Sequence, residues 1–139
     1  MKKPANHAPK ILIADQEPFI RDTLKIKLKS KGLSVILADT GKEMVRMAGH
    51  EIPDLIVTEI NFKDLDMYRA CQILKGNSRT KDIPIIILTR EELTPERQFM
   101  FNPYVTKYMN KPFSPRVVEK TVKAVLANPL KEASEGGAL

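Results

Sequence analysis

The chain has 139 residues, 42% of them hydrophobic and 29% charged, with a formal net charge of +6. That length suits one domain with a substantial core, and no apolar run approaches the ~20 residues a membrane span needs. Cys71 is the only cysteine, so an intramolecular disulfide is excluded, and one Cys with two distant His, His7 and His50, cannot build a zinc site.

Residues 1–9 contain Pro4, Asn6, His7 and Pro9 without periodicity and read as a disordered lead. Met1-Lys2-Lys3 is basic, but Ile11-Leu12-Ile13 is too short for a signal-peptide core and is soon followed by Asp15. With no disulfide framework either, a cytoplasmic location is expected. Residues 10–14 read as a first strand, and Asp15-Gln16-Glu17-Pro18 as a turn into a helix. Pro18 suits the first helical turn because its missing donor has no partner there. Ile20, Leu24 and Leu28 form the buried stripe of that helix, the lysines from Lys25 to Lys31 its wet face, and Gly32 its stop. Residues 33–38 read as the second strand. Thr40-Gly41-Lys42-Glu43 has the form of a capping box, opening a helix that buries Met44, Val45, Met47 and Ala48 and ends near His50.

Pro53 introduces a third strand through Leu55, Ile56 and Val57. These β-formers do not alternate with polar residues, as in a strand buried on both faces of a parallel sheet. The run ends at Glu59, with Thr58 before it as packing. After a loop over 61–65, Asp66 caps a third helix with Met67, Ala70, Cys71 and Leu74 inward. Residues 83–88 form the fourth strand and stop at Thr89. Thr94-Pro95 opens a short fourth helix that ends before Pro103, with Phe99, Met100 and Phe101 partly in the core. Residues 105–110 form the fifth strand and stop at Lys111. Ser114-Pro115 opens the last helix, which runs to about Ala127 with Val118, Val122 and either Val125 or Leu126 inward. Residues 128–139 read as a flexible tail, leaving 10–127 as the folded domain.

Five strands alternating with five helices imply right-handed crossovers and a three-layer α/β/α sandwich around a parallel sheet. In such sheets the ligand crevice lies outside the carboxyl ends of the strands. Asp15, Glu59, Thr89 and Lys111 are the residues that end four of the runs, so they converge there.

The blocks Ile11 to Pro18, Pro53 to Glu59, Ile83 to Thr89 and Lys111-Pro112-Phe113, in this order and spacing, resemble the receiver domain of two-component response regulators across residues 9–127. The resemblance implies a flavodoxin-like fold with strand order 2-1-3-4-5. It also implies a chemistry in which an aspartate ending the third strand takes a phosphoryl group from a histidine kinase. Two acids after the first strand then hold Mg²⁺, and a Thr or Ser and a Lys after later strands contact the phosphoryl oxygens. Thr89 and Lys111 match those last two positions, and Tyr108 matches the fifth-strand aromatic that turns inward as the switch. The expected role is a stand-alone signalling protein rather than an enzyme. It would meet a histidine kinase or a downstream effector through the fourth helix, fifth strand and fifth helix, with no membrane contact.

Two departures bear on that chemistry. Glu59 stands at the phosphoacceptor position, and Gln16 replaces the second acid of the metal pair. Mg²⁺ wants near-octahedral oxygen ligands at about 2.0–2.1 Å, and phosphoryl transfer depends on positioning and charge neutralisation. Gln16 removes one negative charge, and Glu59 carries its carboxylate one methylene too far. The pocket is therefore read as Asp15, Gln16, Thr89 and Lys111 around Glu59, with no resident cofactor; weak Mg²⁺ binding through Asp15, Glu59 and Asn61 is the remaining option. Glu59 is expected to reach Lys111 and Thr89, in partial imitation of a phosphorylated aspartate, and Glu17 to point away. Lys63-Asp64 stands where Pro-Gly is common, Met67 where Gly is frequent, and Tyr104-Val105 where Gly-Ala is common. Arg90 replaces a small residue and either obstructs Tyr108 or pairs with Glu59. Two rival readings stand beside a receiver that works by protein binding without efficient phosphorylation. One is a receiver phosphorylated on Glu59. The other is a basic scaffold for nucleic acid or anionic lipid, for which no DNA-binding motif is visible.

Overall fold

The structure, a computed structural model, describes residues 7–128, so most of the lead and nearly all of the tail read from the sequence lie outside the described residues. The elements alternate without exception: β1 (Lys10–Ala14), α1 (Pro18–Ser30), β2 (Ser34–Ala38), α2 (Gly41–Glu51), β3 (Leu55–Glu59), α3 (Met67–Lys75), β4 (Ile85–Thr89), α4 (Pro95–Phe101), β5 (Lys107–Asn110) and α5 (Pro115–Ala127). The strands form one parallel sheet in the order β2-β1-β3-β4-β5. This is the flavodoxin-like α/β fold expected from the sequence. The third strand begins at Leu55, after the Pro53 that introduces it, and the fourth at Ile85 rather than at Ile83. Each thus starts beyond a proline, which has no N–H to give to a ladder.

Every residue of β3 and β4 is buried, whereas the edge strands β2 and β5 are mostly half-buried. Because strand side chains alternate between faces, the sheet feeds two cores. Ile11, Ile13, Leu55, Val57, Ile86 and Leu88 pack beneath α1 and α5 against Ile20, Leu24, Leu28, Val118, Val122 and Val125. Leu12, Ile56, Ile85 and Ile87 pack on the other side against Met44, Ala48, Cys71, Leu74 and Phe101 from α2, α3 and α4. Val45 and Met47 are half-buried rather than core, and Phe99 and Met100 are 79% and 45% exposed, so of the α4 trio only Phe101 is inside. The short α4 brings a single turn's face to the sheet, and the other two residues fall off it. Lys25 and Lys27 are half-buried rather than fully wet, as expected of lysine stems lying along apolar surface.

Helix starts follow the sequence in three of the four cases where a cap was read. The hydroxyl of Thr40 accepts from the Glu43 N–H, the carboxylate of Asp66 from the Arg69 N–H, and the hydroxyl of Thr94 from the Arg97 N–H. Ser114 makes no such bond. The N-terminus of α2 has a second anchor. The two carboxylate oxygens of Asp64 accept from the N–H groups of Gly41 and Lys42, both at 2.9 Å, which seats the β3–α3 loop on that helix end. Those bonds, with Lys42 nearby, hold the Asp64 carboxyl below its ordinary range. The approach is close: a Cβ at Gly41 would lie 3.0 Å from the Cβ of Leu65. Gly32, with φ +84°, turns the chain out of α1.

Candidate functional site

The carboxyl ends of β1, β3, β4 and β5 surround a cavity of about 270 Å³ lined by Gln16, Glu17, Glu59, Asn61, Thr89, Arg90 and Lys111. Parallel register places them there: Ala14 pairs with Thr58, Glu59 with Leu88, and Thr89 with Asn110. Five side chains expected in the pocket, Asp15, Gln16, Glu59, Thr89 and Lys111, are thus brought together at one edge of the sheet.

Their pairing differs from the expectation. Glu59 does not form an ion pair with Lys111 among the described contacts. Its Oε2 instead accepts from the Gln16 backbone N–H at 2.6 Å. Burial raises the Glu59 carboxyl above its ordinary value. The Gln16 N–H opposes that shift, the negative charge of Asp15 adds to it, and Lys111 again opposes it. Lys111 turns to the other acids. Its Nζ lies 2.7 Å from Asp15 Oδ2, with the two side chains only 3% and 2% exposed, and 3.2 Å from Glu17 Oε2. Asp15 Oδ1 accepts from the Glu17 N–H at 2.9 Å, whereas Oδ2 has no hydrogen bond of good geometry, its ionic contact with Lys111 aside.

Glu17, expected to point away, lines the cavity. Besides Lys111 it engages Arg90, whose Nη2 lies 2.6 Å from Oε1 and 2.8 Å from Oε2. The Arg90 and Lys111 bonds hold the Glu17 carboxyl below its ordinary range. Arg90 therefore pairs with Glu17 and not with Glu59. Glu17 lies two positions after Asp15, and that spacing in an extended turn was the signal available in the sequence.

A second line of contacts rims the cavity. Gln16 Nε2 donates to the Asn61 carbonyl at 2.7 Å, and Asn61 Nδ2 donates to Glu91 Oε1 at 2.9 Å. The other oxygen of Glu91 holds Arg97 Nη1 at 2.8 Å, so the rim reaches α4. Thr89 Oγ1 accepts from the Glu91 N–H at 3.0 Å. Tyr108 is half-buried, packs against the core under α2, α3 and α4, and sends its hydroxyl to Asn102 Oδ1, 3.3 Å away, at the C-terminal end of α4. Burial pushes its phenol up to about 12. Tyr104 stacks edge-to-face on Tyr68, which does the same with Phe101, tying α4 to α3.

These residues do not fit a bound Mg²⁺. Asp15 is committed to the Lys111 ammonium, the Gln16 side chain turns its N–H toward Asn61 and caps the carbonyl oxygen a cation would use, and Glu59 is bonded to a backbone N–H. Among the described residues no cluster of three or more His, Cys, Asp or Glu side chains has the geometry to hold a metal ion.

The comparisons with known proteins agree with this architecture. The family model described as response regulator receiver domain matches residues 11–123. A protein named as a probable transcriptional regulator, ycf27, of Guillardia theta is 35% identical over 124 residues, which is 89% of this chain and 48% of that protein. The alkaline phosphatase synthesis transcriptional regulatory protein PhoP of Bacillus subtilis is 36% identical over 117 residues, 84% of this chain and 48% of its own length. The chain thus spans about half the length of the curated relatives it matches. Among solved structures, the chemotaxis response regulator CheY4 of Vibrio cholerae superposes with a TM-score of 0.78 at 27% identity, covering 86% of this chain and 99% of that one.

Proposed function

This chain belongs to the response regulator receiver family of two-component signalling, and from that membership we propose that it acts by binding a protein partner without efficient phosphorylation. The partner is a histidine kinase or a downstream effector, met through α4, β5 and α5, and the setting is the cytoplasm. No helix of the described residues is long and apolar enough to cross a membrane. Several curated relatives are named as transcriptional regulators, which favours an output in gene control.

The observation that carries the reading is the state of the acceptor position. Glu59 is bound to the Gln16 N–H, while Lys111, the cation that would steady a transferred phosphoryl group, is held by Asp15 and Glu17. A phosphoryl donor would have to displace two carboxylates and find its charge neutralised without a fitted metal. Phosphoryl transfer rests on positioning and charge neutralisation, so both requirements fail together.

The test is incubation of the full chain with acetyl phosphate and Mg²⁺, followed by intact-mass spectrometry. The expected spectrum shows no adduct. A stoichiometric adduct mapped to Glu59 overturns the proposal and puts the phosphorylated receiver in its place.

A further inference from the structure

The contacts around the cavity form a closed circuit through three loops, with Lys111 of a fourth loop attached to it. The carboxylate of Glu17 is its centre, with Lys111 Nζ 3.2 Å from Oε2 and Arg90 Nη2 2.6 and 2.8 Å from the two oxygens. The neighbouring residue, Gln16, reaches Asn61 after β3, and Asn61 reaches Glu91 after β4. Glu91 adjoins Arg90, which closes the ring, and its free oxygen takes Arg97 from α4. Two cations from two different loops therefore converge on one carboxylate supplied by a third loop. The lysine stands where the family resemblance puts a contact to a phosphoryl anion, and Arg90 adds a second cation beside it. Here the anion is part of the chain.

We infer that Glu17 is a tethered anion that stands in for an external one. It draws Lys111 and, through Arg90, the β4–α4 loop together, and so sets the position of α4. The inference rests on the phosphate-independent reading above and names how that state is maintained. Glu59, which the sequence suggested for the role, is occupied by a backbone N–H and does not pair with either cation in the described contacts.

An isolated surface ion pair would not carry such a role. This one differs in two respects. Lys111 is almost wholly buried and already fixed by Asp15, so the Glu17 carboxylate meets a cation that does not move. Arg90, although 58% exposed, shares that carboxylate with the buried lysine, its single Nη2 lying 2.6 and 2.8 Å from the two oxygens, so the pair is not isolated. The helix at the far end has little else to hold it. It is seven residues long, Phe99 is 79% exposed, and only Phe101 is fully inserted in the core. Its attachments include the Glu91–Arg97 pair near the start, the aromatic contacts of Phe101 and the Tyr108–Asn102 bond at the end, with buried Leu93 and Val105 flanking it. A change at Glu17 is thus transmitted to α4 through two adjacent residues, Arg90 and Glu91.

The experiment is hydrogen exchange on the full chain, read by mass spectrometry over residues 90–101, with residues 55–59 as the internal standard for an intact sheet. Glu17→Ala is expected to raise exchange over 90–101 by roughly tenfold or more, a loosening well above measurement error. Formate or acetate, small enough for the vacated site, is expected to restore protection in Glu17→Ala, and chloride at equal ionic strength is not. Restoration is expected to vanish in Glu17→Ala with Arg90→Ala. Wild-type exchange in Glu17→Ala, equal rescue by chloride, or rescue that survives loss of Arg90 each overturns the inference. If Glu17→Ala also loses protection at 55–59, Arg90→Gln decides instead, since it removes the clamp and leaves the buried lysine untouched. Increased exchange over 90–101 supports the inference, and unchanged exchange overturns it. No phosphoryl donor is present, so an adduct on Glu59 in the acetyl phosphate experiment would remove the phosphate-independent reading while leaving this result standing.

Discussion

The ammonium of Lys111 sits 2.7 Å from Asp15 Oδ2, and both side chains are nearly closed to solvent. The only other hydrogen bond described for the Asp15 carboxylate is that from the Glu17 N–H to Oδ1. Removing the lysine strands a buried carboxylate. Lys111→Met is therefore expected to lower unfolding free energy by about 3–5 kcal/mol. Asp15→Asn combined with Lys111→Met is expected to cost less than the sum of the single changes, because the two groups are coupled. Urea denaturation of the four proteins measures both. Additive losses would show that the pair does not act as a unit.

Glu59 gives a pH dependence of defined sign. Its folded-state carboxyl titrates above the ordinary value, chiefly through burial. Between those two values the folded protein binds more protons than the unfolded chain, so stability falls as pH rises through the window. Glu59→Gln removes the ionisation and keeps an oxygen for the Gln16 N–H. It is expected to be more stable than wild type at about pH 7, with the difference closing below the ordinary glutamate value of about 4.3. Denaturation midpoints at several pH values, at constant ionic strength, test this. A variant advantage that grew on acidification would contradict the sign.

Restoring the acids is expected to restore the chemistry. Glu59→Asp shortens the acceptor, and Gln16→Asp both supplies a second metal-binding acid and frees the Asn61 carbonyl from the Gln16 amide. The double variant is expected to take up phosphate from acetyl phosphate in the presence of Mg²⁺, and neither single variant to match it. Intact-mass spectrometry reads the adduct. A double variant as inert as wild type would place the block elsewhere, with Glu17 the first residue to suspect.

Cys71 is expected to be silent. It is fully buried on α3 and its thiol is pushed up to about 12 by burial, so thiolate is scarce and unreachable. Modification by a disulfide reagent should follow global unfolding as denaturant is raised. Fast modification of the native protein would contradict the packing described here.

The four crossovers and the meeting of Asp15, Glu59, Thr89 and Lys111 were readable because each rests on a long-period signal, and the strand order followed from the family resemblance. An apolar run of β-branched residues fixes a buried strand, and a parallel sheet fixes which ends meet. Which acid takes which cation was not readable. Glu59 and Glu17 both lie within a side chain's length of Lys111, and the choice turns on a few ångströms of backbone in the β1–α1 turn. There the Gln16 N–H points at Glu59, and the Glu17 carboxylate swings toward Arg90 and Lys111. The same limit applies to Asp64. As part of a departure from the usual loop it signalled only a difference, until the helix end it caps came within reach.

That seat has a consequence for how the protein tolerates change. Position 41 accepts no side chain without pushing on Leu65, and Leu65 belongs to the segment that continues from Asn61 at the cavity rim. A substitution at the first residue of the second helix would therefore be felt, through that loop, as a misshapen pocket. Screens for loss of signalling should return Gly41 alongside the acids and the lysine, although it touches none of them.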